Sequence, residues 1–290
     1  MQVKTINFSL RSNTFNWLKY GCFLFVLSLF LLSCEEEDDL NLDKDWQLVW
    51  SDEFDGSAGT LPDQSKWNFD VGTGWGNEQL EYDTDRAENA SMDGNGNLAI
   101  VARRESFAGS GFTSARITTK GKFDQTYGRF EARIKMPWGP GIWPAFWLLG
   151  SNIDEVEWPQ CGEIDIMEYR GQEPNIIHGS VHGPGYSASD AITKKFGLPK
   201  DRFDTNYYVY AIEWGEDYIN YFVDDILYFR ITPDSLEDED VDREEWVYDH
   251  DFHIILNLAV GGTFVGFPTV DTMFPQTMLV DYVRVYSESL

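Results

Sequence analysis

Tyr127-Gly128-Arg129-Phe130-Glu131-Ala132-Arg133-Ile134-Lys135-Met136 alternates from Arg129 to its end. Phe130, Ala132, Ile134 and Met136 fall to one side of an extended chain, and Arg129, Glu131, Arg133 and Lys135 fall to the other. Successive side chains leave a pleated backbone in opposite directions, so a period of two predicts a strand with one buried face. Working outward, β-forming stretches recur at Leu98 to Arg103, Tyr207 to Trp214, Tyr218 to Val223, Ile226 to Ile231, His253 to Val260 and Met278 to Tyr286. Gly, Asn, Asp and Pro separate them, and Asp224-Asp225 has the composition of a hairpin turn. No long stretch holds a 3.6-residue period, so the expected fold is all-β. About ten or more strands with no linker between them fit one sandwich of two antiparallel sheets better than two small domains.

The chain has 290 residues, with 22 Lys or Arg against 49 Asp or Glu and a net charge of −27. A surface of that sign excludes nucleic acid as a partner, since phosphate binding needs a basic footprint. With 42% hydrophobic residues the chain can bury a sizeable core. Residues 1–33 hold Lys4, Arg11 and Lys19, no acid, and an apolar run from Gly21 to Leu32. That run is shorter than the roughly 20 residues of a membrane-spanning helix and reads as a secretory signal peptide. Leu31-Leu32-Ser33-Cys34 resembles the lipobox of bacterial lipoproteins, which implies cleavage before Cys34 and acylation of its sulfur. Residues 34–45 then form an acidic tether, similar to the export tag of surface lipoproteins in the Bacteroidetes. The expectation is an exported protein held by lipid on the outer membrane, at the cell surface of a Gram-negative bacterium. Cys22 would leave with the signal and Cys34 would carry lipid, so Cys161 stands alone and no disulfide is expected. The acidic stretch Glu237 to Glu245 reads as a solvated loop or short helix.

The sequence lacks a G-x-S-x-G elbow, a phosphate-cradling glycine loop, H-E-x-x-H and paired C-x-x-C motifs. Carboxylate chemistry remains. Gly162-Glu163-Ile164-Asp165-Ile166-Met167-Glu168 sets three acids in an otherwise apolar strand, which is costly unless they line a wet cleft. Glu163 and Asp165 share a face, but Glu168 has the wrong parity. A β-bulge near Ile166-Met167 would restore it, and bulges are over-represented beside active sites. Crowded carboxyls hold their protons unequally, and one acid beside one anion is what a retaining glycosidase needs, with the two about 5 to 5.5 Å apart. A row of acids on a solvated sheet face is the plainer reading. Upstream, Trp143, Ala145 and Trp147 share one face of Gly141 to Leu148, making an indole platform suited to the apolar faces of sugar rings.

The stretch Trp158-Pro159-Gln160-Cys161-Gly162-Glu163-Ile164-Asp165-Ile166-Met167-Glu168-Tyr169 resembles the active-site signature of glycoside hydrolase family 16 in its bulged form. The likeness extends through Trp50 to Phe54, Thr113 to Arg116, Tyr127 to Arg133, Gly141 to Trp147, Asn257 to Gly262 and Asp281 to Tyr286. Within the family the chain looks most like bacterial laminarinases, endo-acting on β-1,3-glucan. The resemblance implies a concanavalin A-like jelly roll with an open concave cleft, a catalytic domain over 46–290 and a neutral polysaccharide as partner. It implies Glu163 as nucleophile, Glu168 as general acid and base, and Asp165 as the residue orienting Glu163, with no catalytic cofactor. It further implies sugar contacts from Trp143, Trp147, Trp158, Asn77, Arg129 and His182, although His182 could equally be a structural hydrogen-bonding group. A structural calcium ion held by Glu53, Asp281 and the Gly96 carbonyl is also expected, and a monomer. Mixed-linkage glucan and red-algal galactans stay open as substrates, as does a surface glycan-binding lipoprotein without turnover.

Overall fold

The computed structural model describes residues 44–239, 241–242 and 245–289. The expected signal peptide, Cys34 and the tether as far as residue 43 lie outside the described residues. No helix among the described residues is long and apolar enough to cross a membrane.

The fold is a jelly-roll sandwich of two sheets, its strands numbered in chain order. One sheet runs β12 (Ile192–Gly197), β11 (Ile176–His182), β10 (Glu163–Tyr169), β9 (Ile142–Gly150), β16 (Phe252–Val260), β7 (Arg116–Thr118) and β2 (Asn68–Phe69). The other runs β15 (Ile226–Ile231), β14 (Tyr218–Val223), β13 (Tyr208–Gly215), β8 (Gly128–Lys135), β17 (Gln276–Glu288), β5 (Leu98–Phe107), β6 (Ser110–Ser114) and β3 (Glu81–Asp83). On this second sheet β1 (Trp46–Asp52) also pairs with β17, and β4 (Ala90–Met92) with β5. Pairing is antiparallel except between β3 and β6. Neighbours such as β9 and β16 are distant in sequence, so the sheets are assembled from long-range ladders.

The core forms where the alternation places it. Phe130, Ala132 and Ile134 of β8 are fully buried, as are Phe146 and Leu148 of β9, Ile164 of β10 and Leu256 of β16, and all belong to one continuous apolar cluster. Asp224 and Asp225 both adopt positive φ between Val223 and Ile226, the backbone of a type I′ hairpin turn. A short helix α1 (Pro233–Glu237) leads into the acidic stretch, with the Thr232 hydroxyl accepting the Ser235 N–H.

β3 carries a buried acid pair that ties the loop before it to the end of β16. Glu81 is 1% exposed and accepts the Val260 N–H at 2.8 Å, while Leu80 N–H donates to the Val260 carbonyl. Burial pushes the Glu81 carboxyl up from 4.5 to about 7, and raises Asp83 well above its ordinary range with help from the charge on Glu81. An acid held protonated in the fold but free to ionise when unfolded costs stability as pH rises from 4.5 toward 7. Glu81→Gln keeps an acceptor for Val260 and adds donors beside the unpaired Asp83 Oδ1. We expect this variant to match the wild type near pH 4.5 and to exceed it by about 2 to 3 kcal/mol at pH 8, at about 1.4 kcal/mol per pH unit. Urea unfolding at the two pH values checks this, and an equal effect at both would contradict it.

Candidate active site

The site is built on β10, whose register contains the bulge. Against β9, Glu163 stands opposite Leu149 and Asp165 opposite Trp147, but Met167 opposite Phe146 and Glu168 opposite Ala145. Ile166 is the extra residue. Ile164, Ile166 and Met167 are all buried in the core, so Glu168 returns to the face of Glu163 and Asp165. The same face continues across the sheet. His182, Ser180 and His178 of β11 stand opposite Glu163, Asp165 and Glu168, and Ile255, Asn257 and Ala259 of β16 stand opposite Trp147, Ala145 and Trp143. Arg116 of β7 then pairs with Asn257.

Each glutamate accepts an indole N–H: Trp158 Nε1 donates to Glu163 Oε2 and Trp143 Nε1 to Glu168 Oε1, both at 3.0 Å. His182 Nδ1 accepts the Ala188 N–H at 3.1 Å, so in the neutral ring the hydrogen sits on Nε2. That Nε2 lies 2.9 Å from Asp165 Oδ2 and 3.5 Å from Glu163 Oε1. Its N–H is not aligned well enough to satisfy Asp165 Oδ2, which has no hydrogen-bond partner. Burial, the leading cause in all three, pushes Glu163, Asp165 and Glu168 up to about 8. The negative charge of Asp165 raises both glutamates further, while His182 opposes it. The three therefore titrate as one cluster that still holds protons near neutral pH.

Glu163, Asp165 and His182 offer ligand atoms within 4.8 Å of one another, the only such group among the described residues. The histidine presents a hydrogen rather than a lone pair to the carboxylates, so the arrangement suits proton transfer better than metal binding. The carboxylates expected to hold calcium are each already engaged by an arginine. Both oxygens of Glu53 are bonded by Arg284, at 3.0 and 2.8 Å, and Asp281 accepts from Arg133 at 2.6 Å. Two carboxylates already neutralised by separate guanidinium groups do not fit a carboxylate-held calcium ion with Gly96, and no step is assigned to one.

Of the expected sugar-contacting residues, Trp143, Trp147 and His182 lie on the face of the acids, and Trp158 reaches it through its bond to Glu163. Asn77 sits exposed in the loop before β3, its carbonyl accepting the Thr263 N–H. Gly262, at φ 120°, lies between that loop and Trp143, where a Cβ would stand 2.9 Å from the Asn77 oxygen and 3.3 Å from the Trp143 ring. Arg129, expected among the sugar contacts, is not on this face. It belongs to β8 in the other sheet and is bonded to Glu131, Glu213 and Asp225, so it cannot contact a ligand at the acids. The arginine on the cleft face is Arg116, stacked 4.8 Å from both Trp75 and Trp147 and bonded to Asp70 at 2.9 Å. It stands at the end of the stretch Thr113 to Arg116, and the alternation of Ser114, Arg116 and Thr118 is the signal that points to it.

The geometry agrees with comparisons to known proteins. The family model "Glycosyl hydrolases family 16" matches residues 73–245, which include the bulged strand. A beta-glucanase of Rhodothermus marinus is 45% identical over 269 residues, covering 90% of this chain and 93% of the relative. The catalytic domain of an endo-1,3-beta-glucanase (laminarinase) from Thermotoga petrophila RKU-1 superposes with a TM-score of 0.79 at 46% identity, covering 85% of this chain and 100% of that one. A beta-1,3-glucan-binding protein of Penaeus monodon is 32% identical over 177 residues, covering 54% of this chain and 48% of its own. Sequence, strand order and the placement of the three acids thus lead to one assignment: the chain belongs to family 16 of the glycosyl hydrolases and is a glycoside hydrolase.

Proposed function

We propose that the protein is an endo-acting, retaining β-1,3-glucanase. The observation that carries this reading is a bulged strand that turns Glu163 and Glu168 to one face, each under an indole N–H. Glu168 enters protonated and gives its hydrogen to the glycosidic oxygen while Glu163 attacks the anomeric carbon. The leaving chain departs, and Glu168, now anionic, takes a proton from water as that water displaces Glu163. Asp165, hydrogen-bonded to Glu163 on the same face, shares the cluster's protons with it and orients its carboxyl for attack. His182 steadies the pair from β11.

The cleft face supports a neutral glucan. Trp143 and Trp147 offer rings on either side of Ala145, and the Arg116 charge is matched by Asp70 rather than left for a sulfate. The beta-glucanase and laminarinase relatives are of the same substrate class. Reducing-end release from laminarin, lichenan, agarose and carrageenan, with the first-formed anomer read by proton NMR, tests the proposal. Laminarin is expected to be cleaved fastest, with the β-anomer appearing first. Initial release of the α-anomer would rule out double displacement, and a faster galactan would rule out the substrate.

The lipobox-like Leu31 to Cys34 supports attachment of this hydrolase to the outer membrane through Cys34. Cys34→Ser is expected to move activity from the membrane fraction to the soluble one after export. Unchanged fractionation would contradict the anchor.

A further inference from the structure

Phe264 lies in the loop after β16, and nothing in the proposed reaction yet uses it. Its ring centroid is 5.0 Å from Trp143 and 5.2 Å from His178, which meets it edge to face, and the Arg170 guanidinium sits over it at 4.1 Å. The loop is fixed where it stands. Gln172 Nε2 donates to the Val265 carbonyl at 2.8 Å, and Gly266 N–H donates to the Gly262 carbonyl. Two of the ring's three neighbours adjoin the acid that donates the proton. Trp143 hydrogen-bonds Glu168, and His178 stands directly across the ladder from it.

Around the same ring, three buried polar atoms lack hydrogen-bond partners: Arg170 Nε, His178 Nε2 and Glu173 Oε2. Glu173 is near both neighbours, with Oε1 3.5 Å from Arg170 Nη1 and Oε2 3.7 Å from His178 Nε2. Burial and then the Arg170 charge lower His178 to about 4, so it is neutral at working pH. Charged groups face Glu168 from several elements. Its own strand brings Glu163 and Asp165, with Arg170 just beyond the strand's end. β11 brings His182 and the neutral His178, the turn between the strands brings Glu173, and β9 presents only Trp143, Ala145 and Trp147. β12 brings Lys195 opposite His178, one strand further out, and of the two permanent cations on this side Arg170 is the one whose charge favours the Glu168 carboxylate.

We propose that Phe264 and Arg170 are positioning residues for Glu168: the ring holds Trp143 against its carboxyl and seats the guanidinium that faces it. This rests on Glu168 being the general acid and base. An indole N–H and a nearby cation both favour the carboxylate over the carboxylic acid, offsetting burial and the charges of Glu163 and Asp165. Without them the group would keep its proton too firmly to release it to the leaving oxygen.

The test is the pH dependence of kcat/KM on laminarin for wild type, Phe264→Leu, Arg170→Gln, Arg170→Lys and Glu168→Gln. The alkaline limb reports loss of the proton from the acid, and the acid limb reports ionisation of the nucleophile. Removing a group that favours the anion raises the acid's pKa. The alkaline limb should therefore move up by about half to one pH unit in Phe264→Leu and Arg170→Gln, with the acid limb unmoved. Arg170→Lys, which keeps the charge, should restore the limb. A role confined to packing would lower kcat or thermal stability and leave both limbs in place. If neither neutral variant moves the alkaline limb, the proposal is overturned, and Arg170→Lys behaving like Arg170→Gln removes the part given to charge. If Glu168→Gln stays active, the reading of Glu168 itself has failed, which is a separate result.

Discussion

Glu163→Gln should lower kcat on laminarin by on the order of 10⁴-fold or more, as loss of a covalent nucleophile does elsewhere, while binding of the glucan is retained. Glutamine fills the same volume and can still accept the Trp158 N–H through its oxygen, so the aromatic surroundings keep their form. What it removes is the negative charge, and with it the glycosyl-enzyme bond. Stability supplies an independent check against misfolding. Burial, then Asp165, raises the Glu163 carboxyl from 4.5 to about 8, so the wild type loses folding free energy as pH climbs through that window. The glutamine variant has no such loss and should unfold at a higher temperature than the wild type at pH 9, but not at pH 4.5. Calorimetry at both pH values, with glucan affinity measured by titration, distinguishes a stable inactive enzyme from a damaged one. Hydrolysis within tenfold of wild type would remove the mechanism.

Part of this is legible in the sequence alone, and the division follows from range. The alternation in Tyr127 to Met136 is local, so β8 and its buried face were legible, as was the Asp224-Asp225 turn. The bulge was legible because the cost of burying Glu168 alone in the core leaves few other solutions. Strand ends were not legible: the stretch expected at Leu98 to Arg103 continues to Phe107, and β2, β4 and β7 span two or three residues whose state is set by their partners. Arg129 shows the limit most clearly. Alternation puts it on the polar face of β8, but only the pairing of β8 with β13 and β17 shows that this face lies on the sheet away from the acids. Glu53 is similar, since the arginine that claims it lies 231 residues further on. Arg116 and Phe264 stand on a short strand and a loop brought to the site by distant segments, and no local pattern could give their neighbours.

Glu168→Ala should separate the two halves of the reaction. Laminarin, whose leaving group is a sugar, needs a proton at once, and its turnover should fall on the order of 10³-fold, within the range general acids supply. An aryl β-glucoside of the same linkage with a dinitrophenol leaving group needs no proton, so Glu163 should still attack it and release phenol in a burst. The glycosyl enzyme would then persist, because no base remains to activate water. Azide requires no such base and fits the space left by the shortened side chain. It should restore turnover by attacking the sugar from the side opposite Glu163, and two inversions give a β-glycosyl azide. Glu163→Ala with azide provides the counterpart, since azide then stands in for the nucleophile itself and a single inversion gives the α-glycosyl azide. The anomer formed by each variant therefore assigns each carboxylate. An α-azide from Glu168→Ala would exchange the roles of the two glutamates, and rescue of neither variant would mean that the bulge aligns them for some chemistry other than displacement at the anomeric carbon.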